Sequence, residues 1–134
     1  MTPPERYPPD DPREWLNRAK SNLAMAKNRV PEVYLEDLCF EAQQAAEKAI
    51  KSVMIKRGVE FPYVHDLARL LSLLEAAGEV VPETVMQAEE LTQYAMSTRY
   101  PSLEQPVSEQ DYDEAARVAE AVVHWAKEQH LETT

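Results

Sequence analysis

The sequence predicts an all-α fold, an antiparallel up-and-down bundle of the four-helix type with about five helices. Apolar residues recur at spacings of three and four along the chain, and no segment alternates with period two for long enough to make a strand. Only two glycines occur against ten prolines, so the tight turns of β-hairpins are scarce. The length of 134 residues suits one core, and we expect residues 11–131 to form a single bundle domain.

The N-terminal residues 1–10 contain four prolines and predict a flexible or extended arm. Asp11 can then cap a first helix, with Pro12 suited to its first turn and Glu14 at the capping-box position. Pro31 ends this helix in the prediction. Its apolar stripe recurs at helical spacing and consists of Trp15, Leu16, Ala19, Leu23 and Ala26.

The second helix, predicted over residues 33–57, is the longest. Its apolar face is rich in alanine, which implies close approach of another helix because small side chains shorten the distance between axes. Gly58 follows two cations and predicts a left-handed C-terminal cap. The face comprises Leu35, Leu38, Cys39, Ala42, Ala45, Ala46, Ala49, Val53 and Met54.

Three further helices complete the predicted bundle. His65–Asp66 starts a short third helix, which Gly78 closes. Pro82 opens a fourth helix that should continue to the neighbourhood of Thr98. Ser108 can cap a last helix with a buried stripe of alanine and valine. The short helices share one layer of the bundle in this interpretation.

The composition narrows the classes of partner and location. Twenty-four acidic residues against fourteen basic ones leave a net charge of −10, which argues against an extended nucleic-acid surface. No apolar run reaches the length of a membrane helix and no secretory signal is present, so we expect a cytoplasmic protein without a membrane. The single cysteine, Cys39, lies on an apolar helix face, where a small buried hydrophobe is expected rather than a nucleophile.

The three histidines lack the spacing of a metal site. No His-x-x-x-His pair or Glu-x-x-His motif occurs, and no glycine-rich phosphate loop is present. We therefore expect neither a metal nor a cofactor. His124 and Glu128 lie four residues apart on one helix, which predicts a surface pair.

Two arginine arrangements are candidates for chemistry. Arg99 and Tyr100 follow the fourth helix, where they could hold a phosphate or stack on a base, or simply cap the helix and pack on the bundle. Arg117 and His124 are seven residues apart on the last helix and share a face, as a phosphate ligand and a proton donor would in cutting RNA. We favour a surface interpretation for this second pair, in which Asp113 and Glu120 pair with Arg117 and His124.

A family resemblance adds to this interpretation. The stretch from Asp37 to Lys51, DLCFEAQQAAEKAIK, resembles the main helix of the HEPN family, the "higher eukaryote and prokaryote nucleotide-binding" domains. The segments 63–67, YVHDL, and 98–101, TRYP, are similar to prokaryotic members of that family. The resemblance covers residues 12–130, with the segments in the family's order.

The resemblance implies a binding protein that forms a homodimer and pairs with a nucleotidyltransferase-type partner. It also implies a nucleotide ligand, and the candidate contacts are Arg99, Tyr100, Lys48, Lys51 and His65. We expect the two lysines to lie on the exposed side of the second helix, where Lys51 could instead form a solvated ion pair with Glu47. Likewise, His65 could serve only as part of a helix start.

The alternative function is a toxin-like, metal-independent ribonuclease. Many relatives of this kind use an Arg, usually followed by a polar residue, and a His a few residues later, paired across a dimer. No His follows Arg99 at that spacing. Arg117 and His124 satisfy the spacing, but Val118 replaces the polar residue. We therefore expect a non-catalytic protein, with endoribonuclease activity through Arg117 and His124 as the alternative.

Overall fold

Helices account for the architecture of the computed structural model, which describes residues 2–96 and 105–131. A 3₁₀-helix, Gln87–Tyr94, continues the fourth α-helix, and no strand occurs within the described residues. The α-helices are α1, Pro12–Ala26; α2, Leu35–Arg57; α3, Leu67–Ala76; α4, Glu83–Met86; and α5, Glu109–Leu131. Three long helices and two short ones confirm the predicted all-α bundle.

The cap of α1 forms as predicted, but its capping box does not. The Asp11 carboxylate accepts a hydrogen bond from the amide of Arg13 at 2.9 Å, and Pro12 lies in the first turn. Glu14 does not reach back to the Asp11 amide. Its carboxylate accepts instead from the amide of Tyr7 at 2.9 Å, so the first turn of α1 holds the N-terminal arm.

The predicted caps of α2 and α5 are present. Gly58 closes α2 in the left-handed region with a φ of 71°. The Ser108 hydroxyl accepts from the amide of Asp111 at 3.0 Å, and the Asp111 carboxylate accepts from the amide of Ser108 at 3.1 Å. These signals are local, which is why the sequence alone locates them.

The fourth helix differs from its prediction. A continuous α-helix was expected from Pro82 to near Thr98, whereas the α-helical part is only four residues long and the 3₁₀-helix follows. The buried residues of α4 and of the 3₁₀-helix fall three apart, and a helix with three residues per turn places such residues in one line towards the core. They are Val85, Ala88, Leu91 and Tyr94. Thr98 itself lies outside the described residues.

The core lies between α1, α2 and α5, and the buried residues of α3, α4 and the 3₁₀-helix complete it. The alanine-rich face of α2 is buried and contacts both of these helices extensively, as its small side chains predicted. The Tyr112 hydroxyl near the start of α5 donates to the carbonyl of Ala26 at the end of α1 at 2.7 Å, so these two helices are antiparallel. Lys56 donates to the carbonyls of Gln129 and His130 at 2.9 and 2.8 Å, so α2 and α5 end together.

Two further sequence expectations concern the environment of the chain. Cys39 is buried in the core, as expected, and burial raises the pKa of its thiol to about 12. Within residues 2–96 and 105–131, no helix combines the length and apolar character that spanning a bilayer requires.

Candidate functional site

The N-terminal arm lies along α1 and is held there by hydrogen bonds. The Trp15 indole N–H donates to the carbonyl of Pro9 at 2.7 Å, and the Asn17 amide donates to the carbonyl of Glu5 at 3.0 Å. The backbone amide of Tyr7, between these two anchors, donates to Glu14. The backbone of residues 5–9 is therefore held beside α1.

A cleft of about 480 Å³ opens between the arm, α1 and α2, and we call it the arm cleft. Its volume falls in the range of small-molecule sites. Its wall combines three cationic side chains, two aromatic rings, one proline and one carboxylate. The lining residues are Arg6, Tyr7, Pro9, Glu14, Trp15, Arg18 and Lys48.

Of the sequence-predicted site residues that the structure describes, only Lys48 lines the arm cleft. Its ammonium donates to the Asn22 side-chain oxygen at 2.9 Å, and the Asn22 amide donates to Glu41 at 2.7 Å. Burial lowers the pKa of Lys48, and the nearby Glu41 carboxylate opposes that effect. We expected Lys48 on the exposed side of α2, but it is half-buried because α1 packs across that side.

Lys51 is buried, so its predicted exposure was wrong. Only 5% of the residue is exposed, because the rings of Trp15 and Phe61 cover its ammonium at 5.9 and 5.2 Å. Its ion pair with Glu47, at 2.9 Å, forms as predicted, but inside the protein rather than in solvent. Lys51 thus contacts the ring of Trp15, which lines the arm cleft, but does not line the cleft itself.

His65 and Lys51 meet at the same carboxylate. The His65 Nδ1 lies 2.9 Å from Glu47, and the Gln43 amide donates to Glu47 at 2.9 Å. Burial alone would raise the pKa of Glu47, but the hydrogen bonds from Gln43, His65 and Lys51 outweigh it and lower the pKa. Asp66, the next residue, caps α3 by accepting from the amide of Ala68, as predicted.

Arg117 lies exposed on α5, away from the arm cleft. Its guanidinium pairs with Glu114 and also donates to Gln87 at 3.0 Å. The expected pair with Asp113 was wrong, because the carboxylate three residues before Arg117 binds the guanidinium instead. This pairing with Glu114 raises the pKa of Arg117.

His124, seven residues further on, is also exposed. It lies 3.8 Å from Glu128, which agrees with the predicted surface pair. The alternative partner, Glu120, pairs instead with Lys27 of α1 at 3.0 Å. Nothing from another element of the described chain forms a hydrogen bond or ion pair with His124. Arg117 and His124, which lie on one face of α5, therefore form no enclosed site by themselves.

The remaining site predictions concern Arg99, Tyr100 and a metal ion. Arg99 and Tyr100 lie outside the described residues. No group of three or more His, Cys, Asp and Glu residues in the described ranges is placed to hold a metal ion. Sequence reasoning did not identify Arg6 and Arg18 as candidate site residues. No local sequence pattern indicates that the arm folds back along α1.

Comparison with known proteins agrees with this architecture. The profile of the HEPN domain family matches residues 12–129. The crystal structure of TT1696 from Thermus thermophilus has a TM-score of 0.74 and 30% sequence identity, over 88% of this chain and 97% of that one. The crystal structure of ST0689, an archaeal HEPN homologue, has a TM-score of 0.71 and 28% identity, over 89% and 97%. No curated protein matches the chain.

The three long helices, the two short ones and the absence of strands in the described chain define a small all-helical bundle protein. The match over nearly the whole bundle makes the assignment more specific. The chain belongs to the HEPN domain family. The family resemblance predicted from the α2 sequence is therefore confirmed.

Proposed function

We propose that this chain is a non-catalytic HEPN-family binding protein that forms a homodimer, pairs with a nucleotidyltransferase-type partner and binds a nucleotide. The observation that carries the nucleotide-binding part of the proposal is the arm cleft, in which Arg6, Arg18 and Lys48 lie with the rings of Tyr7 and Trp15. Arginine and lysine bind phosphate oxygens, and aromatic rings stack on bases. A nucleotide supplies both of these chemical groups.

The sequence-predicted residues take different roles in this proposal. Lys48 contacts the phosphate directly, since its side chain lines the cleft. Lys51 and His65 act as positioning residues, because they bind Glu47 beneath the ring of Trp15. Arg99 and Tyr100 remain candidate nucleotide contacts.

The surroundings of α5 favour a binding role over the ribonuclease alternative. Cutting RNA through Arg117 and His124 needs an arginine that reaches a phosphate and a histidine that reaches the leaving oxygen. The Arg117 guanidinium is already bound by Glu114 and Gln87. Val118, at the position of the polar motif residue, is buried in the core.

Calorimetric titration with ATP and GTP tests nucleotide binding. We expect saturable heat with the wild-type chain and a loss of affinity of about tenfold or more in Lys48→Met, because a charged contact to phosphate is removed. Lys127→Met is the matched control, since Lys127 is exposed on α5 outside the arm cleft. Absence of heat at millimolar nucleotide would contradict this part of the proposal.

Light scattering tests the proposed homodimer separately. We expect a mass of twice 15.3 kDa, and a mass of 15.3 kDa would contradict dimerisation.

The calorimetric titration with ATP and GTP, repeated with Arg99→Ala, tests whether Arg99 contacts the nucleotide. Unchanged affinity in this variant would remove Arg99 from the nucleotide site.

A further inference from the structure

We infer that the arm cleft binds the phosphate groups of a nucleotide directly, without a bridging magnesium ion, and that Arg6 of the N-terminal arm is one of the binding residues. This inference rests on the proposed nucleotide function and specifies its site and the form of its ligand. It follows from the donor groups of the cleft, from their charge and from the way in which the arm is anchored.

The donor groups of the cleft suit an anion rather than a hydrated metal ion. Within residues 2–96 and 105–131, Glu14 is the only carboxylate that lines the cleft. One of its oxygens accepts from the Tyr7 amide at 2.9 Å, and the other accepts from the Arg18 guanidinium at 2.7 Å. These two hydrogen bonds lower the pKa of Glu14 and engage each of its oxygens once. Magnesium is usually held by one or two carboxylates together with phosphate oxygens, whereas the oxygens of Glu14 already accept from two donors of the protein.

The charge of the cleft is opposite to that of the whole protein. The chain has a net charge of −10, yet three cations and a single carboxylate line this cleft. Arg18 donates its Nε–H to Glu14, and its side chain is still 56% exposed. A guanidinium has further N–H donors in a planar fork, so the remaining donors of Arg18 can bind a phosphate.

The anchoring of the arm places Arg6 in this site. The carbonyls of Glu5 and Pro9 accept from α1 on either side of it, and the Tyr7 amide binds Glu14. The Arg13 guanidinium lies 4.0 Å from the centre of the Tyr7 ring, which holds that ring in place. Arg6 therefore lines the cleft from a fixed backbone rather than from a free tail.

The floor of the cleft offers a fixed ring for a base. Trp15 meets Phe61 edge to face, with the ring centres 5.9 Å apart, and the buried Lys51 lies beneath it. Restraint from these neighbours reduces the entropy lost on stacking. The lining combines cations with aromatic rings. A nucleotide fits both, with its phosphates near Arg6, Arg18 and Lys48 and its base near Trp15.

The test is calorimetric titration of the full chain with ATP, in EDTA and then in magnesium. In EDTA we expect Arg6→Ala to weaken binding about tenfold, and Arg69→Ala, an exposed arginine on α3, to leave it unchanged. Magnesium should weaken binding to the wild-type chain, because it takes the phosphate oxygens that the cations would bind. Arg6 lies in the arm, outside the helical core, so the variant is expected to fold.

The outcomes separate this inference from the proposed function. Absence of wild-type binding in both buffers would overturn the nucleotide function and this inference together. Nucleotide binding that is equal in Arg6→Ala and Arg69→Ala would leave the function standing and overturn the arm site. Binding that requires magnesium would overturn the direct, metal-free contact.

Discussion

Basic side chains lie on two sides of this molecule, and their surroundings differ. On the arm side, Arg6, Arg18 and Lys48 come from three separate elements and line one cleft. On the α5 side, Arg117 and His124 come from one helix and stand exposed beside carboxylates of that helix. The comparison indicates that a candidate site arises where several elements meet, and that residue type and helical spacing alone do not define one.

The largest expected difference between the two sides is in stability. Glu47→Ala leaves Lys51 buried without its ion-pair partner, which should lower the free energy of unfolding by about 3–5 kcal/mol. Glu114→Ala on α5 removes an exposed pair with Arg117 and should cause no measurable change. Urea denaturation of both variants measures the difference.

The double variant Glu47→Leu/Lys51→Met sharpens this test. Replacing both buried charges with apolar side chains removes the unpaired ammonium, so much of the lost stability should return. Equal midpoints for Glu47→Ala and Glu114→Ala would contradict the burial of the Lys51–Glu47 pair.

A smaller effect on stability is expected from removal of a tyrosine hydroxyl, and it should differ between the bundle and the arm. Tyr112→Phe removes a buried hydrogen bond to the Ala26 carbonyl and should cost about 0.5–1.5 kcal/mol. Tyr7→Phe removes an exposed hydrogen bond to Glu5 and should not change thermal or urea midpoints. A larger loss in Tyr7→Phe than in Tyr112→Phe would contradict the assignment of the arm to the periphery of the fold.

His130, near the end of α5, should link stability to pH. Burial lowers the pKa of His130 below its ordinary value of 6.5, assisted by Lys56, Lys20 and Arg57 and opposed by Asp11. The unfolded chain then binds the proton more readily than the folded chain, so stability falls as pH drops through and below 6.5.

Replacement of His130 should reduce that dependence. Between about pH 7.5 and about pH 5.5, the wild type should lose more stability than His130→Gln, in which this titration is absent. His124→Gln, the exposed control on the same helix, should follow the wild type. Urea midpoints across the pH series measure this effect, and identical curves for all three proteins would contradict the role of His130.

The smallest effect concerns the anchoring of the arm. Asn17→Ala removes the hydrogen bond to the Glu5 carbonyl, which should leave the unfolding midpoint unchanged but speed tryptic cleavage after Arg6. Asn28→Ala, an exposed substitution at the other end of α1, is the control. Equal cleavage rates in the two variants would indicate that the Asn17 contact does not hold the arm.

The fold was more accessible from the sequence than the candidate site, and the reason is physical. Asp11, Gly58 and Ser108 act on neighbouring backbone groups, so their positions located helix ends correctly. Helical spacing also identified the alanine face of α2. It did not show that α1 and the 59–64 loop cover the opposite side, and so it placed Lys48 and Lys51 in solvent.

The arm cleft depends on contacts between distant parts of the chain. Arg6 and Lys48 are far apart in sequence and line one cleft only because α2 packs along α1 and the arm lies beside α1. Hydrogen bonds from Trp15 and Asn17 make that fold-back, and neither residue type signals such a contact in advance. Proline content alone predicted an arm but not the surface on which it lies.

The two indole N–H groups provide the most direct test of the arm cleft as the ligand site. The chain has only two tryptophans, Trp15 in the cleft and Trp125 in the core. A ¹H–¹⁵N correlation spectrum recorded during titration with metal-free ATP follows both signals, and Trp15→Phe assigns them. We expect the Trp15 signal to shift with saturation and the Trp125 signal to stay in place. A shift confined to Trp125, or no indole shift under conditions in which calorimetry shows binding, would contradict the arm cleft as the nucleotide site.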